Sequence, residues 1–148
     1  MKKITLILAF FFISAGAFAQ IETPVTWSYG TKKISNTEAI IYIKATIEDG
    51  WHIYSQNIKP GGPIKTSFTF APSKDFVKVG KTIEPKPATK FEKVFNMNVS
   101  YFKKQVIFQQ KVKLLKPTAT IKGKLEYMVC DETKCLPPTE VEFTVQVK

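Results

Sequence analysis

From Val25 onward the chain alternates apolar and polar residues in short runs. In the last of them Val141, Phe143, Val145 and Val147 fall on one side, while Glu140, Glu142, Thr144 and Gln146 fall on the other. That period of two is the signature of a half-buried β-strand, because successive side chains leave the pleat on opposite faces. Ile41, Ile43, Ala45 and Ile47 against Tyr42, Lys44, Thr46 and Glu48 repeat the pattern. Runs rich in β-branched and aromatic residues, punctuated by Gly, Pro, Asn, Asp and Ser, predict strands at 25–29, 38–47, 51–54, 66–70, 77–83, 99–102, 105–115, 120–129 and 140–147. No amphipathic helix interrupts them. Nine short strands with one apolar face each predict an all-β fold, a β-sandwich whose two apolar faces meet in a core.

Two stretches resist a strand assignment. Lys59-Pro60-Gly61-Gly62-Pro63 lacks ladder donors at its prolines and is loose at its glycines, so it is read as a loop. The stretch around Pro85 and Pro87, running on to Phe91 and Phe95, is read as a second irregular segment, one that must find somewhere to place large aromatic rings. Nothing in the chain repeats, and no composition shift marks a second domain.

The N-terminus obeys different rules. Met1-Lys2-Lys3, an apolar run over 4–13 and the small-residue stretch Ser14-Ala15-Gly16-Ala17-Phe18-Ala19 have the three parts of a secretory signal with cleavage after Ala19. Residues 1–19 are therefore expected to be removed and 20–148 to form one exported domain. Gln20 would become the new N-terminus, and without a Cys there a lipid anchor is not expected. The apolar run is too short for a confident bilayer span, and the mature chain is expected to have none.

Export changes the meaning of the charge. All 22 basic residues are Lys, against 12 acidic ones; without Lys2 and Lys3 the balance is +8. Sequence readers of nucleic acid lean on the bidentate guanidinium of Arg, which this chain lacks, and an exported protein seldom meets nucleic acid, so no such partner is expected. Lysines spread along strand-like segments read as solvated faces and edges.

Export also changes the meaning of the two cysteines. Cys130 and Cys135 lie in Tyr127-Met128-Val129-Cys130-Asp131-Glu132-Thr133-Lys134-Cys135-Leu136-Pro137-Pro138, between the last two predicted strands. A chain reversal over Asp131 to Lys134 would set them across a hairpin, within bonding reach, and an exported pair can oxidise. Closing so short a loop stabilises by only about 2 kcal/mol in the chain-entropy model. A bridge kept within one hairpin favours a chemical role, because both sulfurs stay together when it is reduced, although short structural bridges exist. Lys134 favours a thiolate at Cys135, whereas Asp131 and Glu132 disfavour one at Cys130, which makes Cys135 the more reactive sulfur and Cys130 its resolving partner.

The single histidine, His52, lies in Gly50-Trp51-His52-Ile53-Tyr54-Ser55, on one strand face with Tyr54. One His and two Cys fall short of a structural zinc site. Copper(I) could accept Cys130, Cys135 and His52 with Met97 or Met128, yet both methionines serve equally well as core residues, so no metal and no cofactor is expected. Phosphate-binding loops, paired catalytic carboxylates and nucleophile elbows are missing, which leaves hydrolase and nucleotide-binding functions without support.

The signal peptide, the β-rich chain, Gly50-Trp51-His52-Ile53-Tyr54-Ser55, Gly61-Gly62-Pro63 followed by Thr66-Ser67-Phe68-Thr69-Phe70, and the closing Cys130 to Pro138 segment together resemble the N-terminal periplasmic domain of the thiol:disulfide interchange protein DsbD. The resemblance implies an immunoglobulin-like β-sandwich. It also implies a periplasmic dithiol–disulfide module that takes electrons from a thioredoxin-like donor and passes them to oxidised periplasmic thiol proteins. On that resemblance Cys135 forms the mixed disulfides and Cys130 resolves them. His52 and Tyr54 match aromatic positions beside the active site, and Phe95, with Phe91 as runner-up, matches the Phe of a cap loop over the cysteines. The chain ends at Lys148 without a membrane conduit or a thioredoxin-like domain, so its reductant is expected in trans. The rival from the fold alone is a non-catalytic immunoglobulin-like binding module with a structural hairpin disulfide.

Overall fold

A computed structural model of the chain describes residues 22–148; the expected signal peptide lies outside the described residues. Eleven strands run in the order β1 (Val25–Ser35), β2 (Glu38–Ile47), β3 (His52–Tyr54), β4 (Ser67–Phe70), β5 (Phe76–Ile83), β6 (Ala88–Glu92), β7 (Met97–Phe102), β8 (Gln105–Leu114), β9 (Ala119–Tyr127), β10 (Val129–Cys130) and β11 (Thr139–Val147). All pair antiparallel, in three sheets ordered β1-β2-β8-β5, β10-β3-β7-β6 and β11-β9-β4.

Alternation builds the core as the sequence predicts. Ala39, Ile41, Ile43, Ala45 and Ile47 of β2 are buried, as are Val106, Phe108, Val112 and Leu114 of β8, and they meet Ile121 and Leu125 of β9 and Phe143, Val145 and Val147 of β11. Aromatic rings join the layers. Tyr29 stacks on Phe143 at 5.2 Å between ring centres, Trp27 meets Tyr127 edge-on at 5.3 Å, and Phe68 meets Phe108 at 4.9 Å. The middle sheet contributes Ile53, Phe102 and Val129 to the same core. Its other face is therefore free to build something else.

Gly123 of β9 is crowded by its neighbours in the same sheet, β4 and β11. A Cβ there would lie 2.7 Å from the Thr69 carbonyl oxygen of β4 and 2.6 Å from the Phe143 ring. The carbonyl is held by the β4–β9 ladder and cannot retreat. Gly123→Ala is expected to destabilise the domain by about 1–3 kcal/mol, the usual cost of overpacking, measured by urea unfolding at pH 7. A variant as stable as wild type would mean that this layer repacks freely.

Three local readings change. Residues 88–92, read as irregular, form β6. Its flanking prolines, Pro85 and Pro87, precede the strand and leave its ladder donors intact, and the turn into β7 is closed by Asn96 at φ 50°, a conformation Asn tolerates. The segment read as one strand over 120–129 is two strands, β9 and β10, in different sheets, because the chain crosses between sheets at Met128. β1 runs on to Ser35, six residues past the expected end, on the strength of its pairing with β2.

Candidate functional site: a hairpin disulfide beside a buried histidine

The cysteines occupy the edge of the middle sheet. Val129 and Cys130 pair with Ile53 and His52 of β3, then the chain turns over Asp131 to Lys134 and Cys135 returns opposite Cys130. The Asp131 amide donates to the Lys134 carbonyl and the Leu136 amide to the Val129 carbonyl, each at 2.9 Å. Those bonds flank the cysteines, so Cys130 and Cys135 form a non-hydrogen-bonded antiparallel pair, the register in which facing side chains come closest. Their Cα atoms are 4.0 Å apart and the sulfurs are bonded.

The tip is organised by one carboxylate. Asp131 Oδ1 accepts the amides of Thr133 at 2.6 Å and Lys134 at 2.7 Å and the Thr133 hydroxyl at 2.9 Å. These donors, the Thr133 amide first, hold the Asp131 carboxyl below its ordinary range. The Lys134 ammonium pairs with Glu22 at 2.6 Å and lies 5.6 Å from the Trp51 ring centre. The charges that the sequence set beside the cysteines are thus spent on holding the hairpin.

Burial separates the two sulfurs. Cys130 is 1% exposed, whereas Cys135, joined to the sheet by a single bridge outside β10, is exposed. Leu136 then packs on the main core, while Pro137 and Pro138 stay at the surface.

Register places a second set of side chains on the face that carries Cys130. His52 lies opposite Cys130, Tyr54 opposite Tyr101, and Val99 and Met97 of β7 opposite Lys90 and Glu92 of β6. Cys130, Tyr54 and Val99 form a small buried cluster with Ile58, Met97, Tyr101 and Met128 around it. The Pro-Gly-Gly-Pro loop helps to cover it. Gly62 comes so near that a Cβ would lie 2.8 Å from Ile58 and 3.0 Å from the Met97 sulfur. The loop's first turn is held by Glu84, whose carboxylate accepts the Ser55 hydroxyl, the Gln56 amide at 2.9 Å and the Asn57 side-chain amide at 3.0 Å. Thr66 fixes the far end, its hydroxyl donating to the Tyr54 carbonyl at 2.6 Å.

His52 is fully buried. Its Nε2 shares a 3.2 Å hydrogen bond with the Tyr54 hydroxyl and lies 3.8 Å from Glu92 Oε2, which also meets Lys90 at 2.9 Å. Its Nδ1 is buried without a hydrogen-bond partner. Burial, helped by Lys90 and Lys103 and opposed by Glu92 and Glu132, lowers its pKa to about 4, so the imidazole is neutral at pH 7. Burial and the nearby Glu92 carboxylate push the Tyr54 hydroxyl up.

The site therefore gathers Cys130, Cys135, His52 and Tyr54. Phe95 is half-buried in the β6–β7 turn. Phe91, paired with Asn98 between the positions of Lys90 and Glu92, falls on the opposite face and is 56% exposed. Sequence reasoning did not single out Glu92, Lys90, Tyr101 or Glu84, each an ordinary surface-type residue until the register is known. Among the described residues no group of three or more His, Cys, Asp and Glu could hold a metal ion, and Met97 and Met128 pack as apolar residues beside Cys130.

A family model described as "Thiol:disulfide interchange protein DsbD, N-terminal" matches residues 24–147, nearly the whole described chain. The chain belongs to this family. As a DsbD N-terminal domain it is a thiol:disulfide interchange module, and its all-β architecture is the immunoglobulin-like sandwich of that family. Among solved structures it is similar to the DsbD N-terminal domain of Neisseria meningitidis in the reduced form (18% identity, 79% of this chain and 82% of that one, TM-score 0.52). It is also similar to a complex between the DsbD N-terminal and PilB N-terminal domains from N. meningitidis (17% identity, 84% and 87%, TM-score 0.55). The N-terminal periplasmic domain of ScsB from Proteus mirabilis aligns at 17% identity with TM-score 0.64; 84% of this chain is covered, but only 47% of that one. At these identities the likeness is one of fold. A search of curated proteins by sequence finds no match.

Proposed function

We propose that this DsbD N-terminal domain is an exported, periplasmic electron carrier. A thioredoxin-like donor reduces the Cys130–Cys135 disulfide, and the resulting dithiol reduces oxidised periplasmic thiol proteins. The observation that carries the reading is the division of the pair: one exposed sulfur and one buried sulfur held in a single hairpin. Exchange requires in-line access of a thiolate to one sulfur of the bridge. Cys135 offers that access and forms the mixed disulfide, while Cys130, shielded by the sheet, resolves it. A bridge serving stability alone has no need of this asymmetry. The complex of a related DsbD N-terminal domain with a PilB N-terminal domain supports a docked protein as donor. Phe95 serves as the lid, since its turn belongs to the hairpin that carries Glu92 onto the cysteine face; Phe91, on the other face, is less suited.

The test is the equilibrium potential of the pair in the mature domain, residues 20–148, titrated against glutathione buffers. The expected value lies between those of thioredoxin and the strongest periplasmic oxidants, about −270 to −120 mV. A value below about −300 mV would mark a structural bridge and return the domain to a purely binding role.

A further inference from the structure

The buried imidazole has one hydrogen-bond partner too few in the oxidised state and a neighbour that gains a proton on reduction. We infer that His52 Nδ1 is the proton acceptor for Cys130, receiving the Cys130 S–H as a hydrogen bond in the dithiol and taking its proton when Cys130 resolves a mixed disulfide. The inference rests on the exchange reading above and adds a residue to its chemistry.

Three observations converge on it. His52 is the cross-strand partner of Cys130, and both side chains are buried. Nε2 is committed to Tyr54 and Glu92, whereas Nδ1 has no partner. A buried polar atom left unpaired costs free energy, and a disulfide sulfur carries no proton with which to satisfy it. Reduction supplies one. With Nε2–H donating to the Tyr54 oxygen, Nδ1 keeps its lone pair free for the new thiol.

The chemistry balances. Cys135 thiolate attacks one sulfur of the oxidised partner, forming the mixed disulfide and releasing the first partner thiolate. The Cys130 S–H proton passes to Nδ1 as the Cys130 sulfur attacks Cys135 Sγ. The Cys130–Cys135 bond forms, the bond from Cys135 to the partner breaks, and the second partner thiolate leaves. The imidazolium returns its proton to solvent or to that thiolate. Counting the proton that Cys135 gives to solvent in forming its thiolate, the dithiol has lost two electrons and two protons; the partner disulfide has gained the two electrons, and its two thiolates take up the two protons from solvent and the imidazolium.

The charged and titratable groups around the ring are Tyr54 on its own strand, Tyr101 on β7, Lys90 and Glu92 on β6, and Lys103 and Glu132 at the rim. Their lysines oppose lasting protonation of the ring, so the proton is passed on and not stored.

The test mixes the reduced mature domain with one equivalent of 4,4′-dithiodipyridine and follows release of the two chromophoric thiones. The first release reports attack by Cys135 and the second ring closure by Cys130. For wild type the second rate is expected to be flat from pH 8 to 6, where the imidazole is already the free base. In His52→Gln, which keeps an acceptor but no base, the first rate is expected to be unchanged and the second about 10²-fold slower at pH 7, climbing tenfold per pH unit as solvent takes over. A merely structural histidine would lower the melting temperature and disturb both releases alike. A wild-type second rate that itself rises tenfold per unit overturns the inference without need of the variant, and so does an unchanged second rate in His52→Gln. A wild-type domain that gives the first thione and never the second overturns this inference and the exchange reading together, whereas normal closure insensitive to His52 overturns this inference alone.

Discussion

Cys135→Ser is expected to lose disulfide exchange by several orders of magnitude, while Cys130→Ser is expected to start the reaction and stall. The difference follows from where the register puts each sulfur. Cys135 stands outside β10 at the sheet edge, exposed, and is the only sulfur of the pair that an incoming thiolate or disulfide can reach. Without it Cys130, 1% exposed beneath the cluster of Tyr54, Val99, Met97 and Met128, has no route to a partner. With Cys135 alone the first bond still forms, but no second sulfur stands opposite it to displace the partner. A mixed disulfide should therefore accumulate in Cys130→Ser and be seen as one adduct by intact mass after incubation with an oxidised partner protein. Both variants should fold, since losing a bridge around so short a loop costs about 2 kcal/mol. Wild-type turnover in either variant, or the absence of an adduct in Cys130→Ser, would sink the assignment of roles.

The parts of this molecule legible in the sequence are those decided by local periodicity. β2 and β11 keep strict alternation because one face is core and the other water, and both are found where the pattern places them. The cysteine hairpin was legible because its contacts span only a few residues. The features that were not legible depend on pairing between distant segments. β6 is a short strand with Lys90 and Glu92 turned to the cysteine face, and nothing in its composition announces a strand. The break at Met128 has no breaker residue; the chain changes sheet because β10 must reach β3. The sequence places His52 on one face with Tyr54, but its position opposite Cys130 is a property of the β3–β10 register. Glu84 sits next to Pro85 and reads as solvent-facing, yet its carboxylate collects donors from Ser55, Gln56 and Asn57 and so fixes the loop over the site.

Acid should weaken the oxidised domain well before its carboxylates titrate. In the unfolded chain His52 takes up a proton near pH 6.5, whereas in the folded domain burial lowers its pKa to about 4. Between those values the unfolded state binds one more proton than the folded state, so stability falls as the pH drops through this window. Above pH 6.5 both forms are neutral and below about 4 both are charged, so this group adds no further slope outside the window. A shift of that size corresponds to about 3 kcal/mol, a large share of the stability of a small domain. Asp131 acts in the same direction but lower on the scale: its carboxyl is held below the ordinary range, so its contribution is lost only as the pH falls beneath the usual carboxylate value. The two windows are separable. Urea unfolding of the oxidised domain from pH 8 down to about 2 should show a plateau, then a decline beginning near 6.5, and His52→Gln should remove that decline while keeping the later one below the usual carboxylate value. A wild-type profile that stays level down to pH 4 would show that the ring accepts a proton in place. The neutral, unpartnered imidazole on which both this profile and the proton acceptor role depend would then not exist.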